Sequence, residues 1–186
     1  AFPVPQETED IKEVTAERVS TYTDQWGHLR TDRWVRKFPV NADLMTLIGY
    51  YLSEGTEAGG HSDRKERAGN LRLCFGKNLM EFQYAYEAVD AAKRLGLNSR
   101  IDVTKYGVWV TIFSTPLMRF LKEQFGYGSL NKHLPLWVIK LPKEKLEPML
   151  RAYTNGDGNY RNGVYRVVSV SRNLLEQMRL VCLKLG

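Results

Sequence analysis

An α+β fold of two pseudo-symmetric halves, each of αββαββα order and the second truncated, is what this 186-residue sequence predicts. Three observations carry that expectation. The segment Leu47-Ile48-Gly49-Tyr50-Tyr51-Leu52-Ser53-Glu54-Gly55 returns as Leu150-Arg151-Ala152-Tyr153-Thr154-Asn155-Gly156-Asp157-Gly158, each closed by an acid and a glycine. The surroundings repeat as well: Lys77-Asn78-Leu79 corresponds to Arg172-Asn173-Leu174, and Leu95-Gly96 to Leu185-Gly186. Between the helical stretches runs strand-period alternation, with Val108, Val110 and Ile112 against Trp109, Thr111 and Phe113.

Residues 1–40 show little periodicity, are acidic at the start, and are basic and aromatic over 26–37. They read as an extension or the remnant of a neighbouring domain, with some local strand or helix. Residues 41–130 form the first half. Asn41 is a suitable N-cap, and Leu44, Leu47, Ile48, Tyr51 and Leu52 make one apolar face. Gly49 and Ser53 lie four residues apart on another face, where small residues let two helix backbones approach; Ala152 and Gly156 are their counterparts. A glycine- and charge-rich hairpin follows Gly55, then a strand over 70–75 and an amphipathic helix over 78–95 closed by Gly96. Strands over 99–103 and 106–113 turn at Lys105, and a short helix spans 116–125.

Residues 131–186 are a linker and the second half. A helix is expected over 143–153, with Pro148 near its first turns, where proline disrupts least. Strands over 159–161 and 164–169 and a helix over 174–185 follow. Two further strands and a helix have no counterpart here, so the second half is expected to be unfinished.

Net charge is +6, from 27 basic and 21 acidic residues, which suits a polyanionic partner without demanding one. No apolar run approaches the ~18 residues of a membrane span, so no membrane partner is expected. Cys74 and Cys182 form no CxxC pattern, and His28, His61 and His133 lack zinc-ligand spacing. Reduced, buried thiols are the expectation.

The paired acids carry the chemistry. Two carboxylates at neighbouring helix tips repel each other unless a cation bridges them. Oxygen ligands without a Cys or His cluster favour Mg²⁺ or a similar hard ion, which can activate water for phosphodiester hydrolysis. Read singly, Glu54 and Asp157 also fit solvated helix-end acids. Yet an acid at a helix C-terminus is disfavoured by ~0.3–1 kcal/mol, and here it occurs twice. Arg72, Lys77, Arg100, Lys105, Arg161, Arg166 and Arg172, on or beside the predicted strands, and Arg64, Lys65 and Arg67, in the hairpin, could meet phosphates or base edges; singly, each also fits a solvated cation.

The two segments resemble the paired dodecapeptide motifs of LAGLIDADG homing endonucleases (DOD-type), especially those lodged in inteins. Asn131-Lys132-His133-Leu134-Pro135 is similar to the lysine-containing stretch before the second motif. The resemblance spans about residues 38–186. It implies a monomer with two central motif helices and two saddle-shaped sheets gripping a long double-stranded DNA site. It implies that Glu54 and Asp157 hold Mg²⁺, with Mn²⁺ able to substitute, and that Lys132 assists at the scissile phosphate. On the residues alone, Lys132 fits an exposed linker lysine equally well. Glu54 stands where the family usually has Asp, and Ala152 where it usually has Gly. The implied function is a site-specific, divalent-metal-dependent DNA endonuclease acting inside the cell, cytoplasmic or nucleoid-associated. Two alternatives keep the scaffold: a catalytically decayed DNA-binding regulator, and an RNA maturase. With Ala1 at the start and no terminal His-Asn, self-splicing by this chain is not expected.

Overall fold

Asparagine and serine side chains start most of the helices. In the computed structural model, which describes residues 8–58, 69–162 and 164–186, Asn41 accepts a hydrogen bond from the Leu44 N–H at 3.0 Å and opens α1 (Ala42–Glu54). Asn78 caps α2 (Leu79–Arg94), Ser114 caps α3 (Thr115–Phe125) and Ser171 caps α6 (Arg172–Leu185) in the same way. The short α4 (Leu136–Lys140) and the long α5 (Lys143–Asp157) follow prolines instead. Pro148 lies inside α5, in its second turn, and removes the bond its N–H would give the Glu144 carbonyl.

Four strands form one antiparallel sheet in the order β3 (Gly55–Ala58), β4 (Asn70–Phe75), β6 (Val108–Ile112), β5 (Ser99–Val103). Leu73 faces Gly55 and Val110, and Leu71 faces Ile112. Leu71, Leu73, Phe75, Val108, Val110 and Ile112 are buried on one face of the sheet. Between Ala42 and Phe125 the order is therefore helix, two strands, helix, two strands, helix, as the sequence predicts. The architecture is α+β. After α5 come β7 (Gly158–Arg161) and β8 (Val164–Val167), an antiparallel pair, and then α6.

Three expectations need correction. Residues 13–39 are a long hairpin, β1 (Glu13–Thr23) paired with β2 (Leu29–Pro39). The Asp24 carboxylate closes its turn, accepting from the Trp26 and His28 N–H groups at 2.9 Å each, with Gly27 at φ +84°. Ala16, Phe38 and Val40 are buried at its base, whereas Val19, Tyr22, Leu29 and Val35 are exposed farther out. Beyond that base, exposed apolar residues give the ribbon no steady inside-outside alternation for the sequence to show. Second, α1 does not have one apolar face. Every residue from Leu44 to Leu52 is buried, because the helix is enclosed by the sheet and by α5. Third, α4 was not foreseen; five residues are too few to show a helical period. Among the described residues no helix is long and apolar enough to cross a membrane. Cys74 and Cys182 are free, half-buried thiols.

Candidate active site at two helix tips

Glycine and alanine bring α1 and α5 together. A Cβ on Gly49 would lie 2.3 Å from the Met149 carbonyl oxygen and 2.7 Å from the Ala152 Cβ. One on Gly156 would lie 2.2 Å from Ser53 Oγ and 3.1 Å from Glu54 Cγ. The four small residues predicted at this seam therefore line it. Glu54 is the last residue of α1 and Asp157 the last of α5, so two acids 103 residues apart end side by side.

The glycine after each acid serves the chain's own backbone. A Cβ at Gly55 would meet the Tyr51 carbonyl at 2.4 Å, and one at Gly158 would meet the Arg166 carbonyl at 2.7 Å. Each glycine lets the chain leave its helix directly into a strand.

Lys132 joins the acids. It is only 5% exposed, which excludes the solvent-exposed linker lysine. Its ammonium donates to the Gly55 carbonyl at 3.1 Å and lies 5.2 Å from the centre of the Tyr51 ring. The Tyr51 hydroxyl in turn donates to the Gly126 carbonyl. Lys132 and Asp157 line one cavity of about 280 Å³ with Leu52, Ser53, Ser129 and the stretch Val168, Ser169, Val170. A larger groove, about 670 Å³, lies over α5, β8 and α6 and contains none of the candidate residues.

Burial governs the charges. Burial first, then the charges of Asp157 and Glu81, pushes the Glu54 carboxyl up to about 7, with Lys132 pulling the other way. Burial raises Asp157 too, against the pull of Lys132. Burial lowers Lys132 to about 8 despite both carboxylates. Glu54 thus binds a proton in the folded state that the unfolded chain has released above its ordinary value of 4.5. The stability it contributes is present below that value and is lost as pH rises through about 7. For Lys132 the cost is full below about pH 8 and is relieved as pH rises towards 10.5. Metal-free protein is expected to gain roughly 1–2 kcal/mol through Glu54 between pH 7.5 and 5, after allowance for solvent screening. Urea midpoints at the two pH values measure it, and Glu54→Gln should remove that gain. Identical pH profiles for the two proteins would contradict a buried Glu54 carboxyl.

Two carboxylates are oxygen donors of the kind a hard divalent ion takes. Among the described residues no group of three or more His, Cys, Asp or Glu gathers to hold a metal.

The predicted cations are more dispersed. Arg72 and Arg100 face Thr111 from either side, on the sheet face opposite the core. The Arg72 guanidinium stacks 4.7 Å from the Trp109 ring centre, and its Nε is buried without a hydrogen-bond partner. Arg100 pairs with Asp102 at 2.9 Å. Lys77 precedes α2 and Lys105 lies in the β5–β6 turn, 4.8 Å from the Tyr106 ring centre. Arg166 is exposed on β8 and Arg172 opens α6. Arg64, Lys65 and Arg67 lie outside the described residues, as does the side chain of Arg161. Tyr51, Trp109, Ser171 and Gln177 are site residues the sequence does not single out; Tyr51 shows there as an apolar helix residue, Trp109 as an outward residue of an alternating strand and Ser171 as a possible helix cap, while Gln177 carries no signal.

No family model matches the chain. It is 29% identical over 177 residues to the DNA polymerase II large subunit of Thermococcus kodakarensis, covering 92% of this chain and 9% of that protein. It is 31% identical over 151 residues to an iron-sulfur cluster assembly SufBD family protein of Mycobacterium tuberculosis, covering 77% of this chain and 17% of that one. A DNA polymerase of Thermococcus hydrothermalis is 30% identical over 150 residues, covering 78% of this chain and 9% of that protein. The chain thus spans between 9% and 17% of the length of these three relatives.

Proposed function

We propose that this chain is the DNA-cutting part of an intein-associated LAGLIDADG homing endonuclease, hydrolysing both strands of one long duplex site with Mg²⁺. The observation that carries the reading is the delivery of two half-buried acids by the packed tips of duplicated helices, with a buried lysine beside them. The comparisons add support of another kind. Similar segments occur within DNA polymerases and within an iron-sulfur assembly protein, hosts whose named functions differ. That distribution fits an inserted segment better than a part of either host's own activity.

In this reading Glu54 and Asp157 hold the ion, and their mutual repulsion is relieved by it. When bound, the ion supplies water activation and charge stabilisation at the phosphate. Lys132, whose lowered pKa leaves it able to lose or hold a proton near neutrality, sits where it can contact a phosphate or solvent next to the acids. The face carrying Arg72, Thr111 and Arg100 contacts the DNA backbone and base edges. The protein works as an intracellular monomer.

The test is incubation with duplexes carrying uninterrupted genes of candidate hosts, polymerase and SufBD genes included. One discrete double-strand break is expected with Mg²⁺ or Mn²⁺ and none with EDTA. No metal-dependent break on any of these duplexes sinks the active-nuclease reading.

A further inference from the structure

The linker that carries Lys132 has no repeating backbone pattern of its own, and α6 supplies what it lacks. The Leu134 N–H donates to Gln177 Oε1 at 2.7 Å, and Gln177 Nε2 donates back to the Leu134 carbonyl at 2.7 Å. One carboxamide therefore closes both polar groups of a residue that is 1% exposed. Two residues away, Ser171 Oγ donates to the Lys132 carbonyl at 2.7 Å while accepting the Leu174 N–H at 3.2 Å as the cap of α6. The His133 N–H donates to the Phe125 carbonyl at 3.0 Å. The backbone at Lys132 and over the two residues that follow it is thus tied down at three residues.

We propose that Gln177 and Ser171 are positioning residues for Lys132, holding the linker so that its ammonium spans Tyr51 and reaches the Gly55 carbonyl. The inference rests on reading Lys132 as a working member of the DNA-cutting site. Neither residue touches the cavity that Lys132 and Asp157 line. Gln177 belongs to α6 and Ser171 caps it, in the second half, whereas Gly55 and Tyr51 belong to the first. The second half would then set the lysine that serves the first half's helix tip.

Two features separate this from general packing, and one substitution probes them. Gln177 is only half-buried, so its aliphatic part fills little of the core. Its two polar atoms both go to one backbone residue. An isosteric change, Gln177→Glu, keeps the shape and the acceptor for the Leu134 N–H but loses the donor to the Leu134 carbonyl.

The experiment uses the full chain and reads lysine acylation by an N-hydroxysuccinimide ester, resolved by mass spectrometry. In Gln177→Ala, acylation of Lys132 is expected to rise about 10-fold as the linker loosens. Lys145, also largely buried but tied to Asp10 and the Ile11 carbonyl, should keep its rate. Gln177→Glu should fall between, and Ser171→Ala serves if Gln177→Ala does not fold. On cleavable DNA, kcat should drop ~10–100-fold with KM unchanged, as for a misplaced reactive group. Lys132 acylation at the native rate in folded Gln177→Ala overturns the proposal. So does an equal rise at Lys145, which would mean general loosening. If the native chain cuts no DNA, the nuclease reading fails, and acylation alone still decides the positioning role.

Discussion

Glu54→Gln and Asp157→Asn are each expected to reduce DNA cleavage by at least ~10²–10³-fold while leaving DNA affinity within about threefold. Each change keeps the shape of the side chain and removes the negative charge that holds a divalent ion. Neither adds bulk at the crowded contact of Gly156 with Ser53 and Glu54. Both should also stabilise the metal-free protein, because burial and mutual repulsion penalise the charged pair. Gel-shift affinity, nicking and double-strand cutting, and thermal melting with and without Mg²⁺ measure these effects. Loss of cutting with a gain in metal-free melting temperature is the signature of a site built for a cation. If Glu54→Gln cut as fast as the native chain, Glu54 would be no ligand.

Gly49→Ala is expected to destabilise the fold by about 2–4 kcal/mol, although alanine is the better helix former by up to ~1 kcal/mol. The new methyl would sit 2.3 Å from the Met149 carbonyl oxygen, a backbone atom that cannot rotate away. In a protein of this size the melting temperature should fall by roughly 5–15 °C. Ala152→Gly should not rescue it, since that change relieves the 2.7 Å contact with Cβ and leaves the carbonyl in place. A melting temperature within 1 °C of native would show that α1 and α5 are not so close. Because the same contact sets the spacing of Glu54 and Asp157, residual folded Gly49→Ala protein should also cut slowly.

Elements held by local physics carry local signals in the sequence. Asn41 ahead of an apolar run marked the start of α1, and the alternation about Trp109 marked β6. Gly96, at φ +68°, ended α2 as a glycine beyond a helix does. Ser114 and Ser171 cap α3 and α6, which therefore begin one and two residues before the starts that the apolar pattern predicts. The β1–β2 hairpin was missed despite a usable turn signal at Asp24 and Gly27. Only its base reaches the core, through Ala16 and Phe38, and the exposed apolar residues farther out carry no period.

The candidate site divides along the same line. The sequence alone determined that two acids end two similar helices, that small residues follow each other at four-residue spacing, and that a lysine precedes the second helix. These are matters of near-neighbour chemistry and repetition. Tertiary structure alone decided that the acids meet, that Lys132 is buried rather than solvated, and that it reaches the Gly55 carbonyl. The reason is that each depends on contacts between segments remote in sequence: Gly49 against Met149, Gly156 against Ser53, and the Gln177 carboxamide against Leu134. No period or local propensity encodes such a meeting; it exists only when the backbones are close enough that a single methyl would not fit between them.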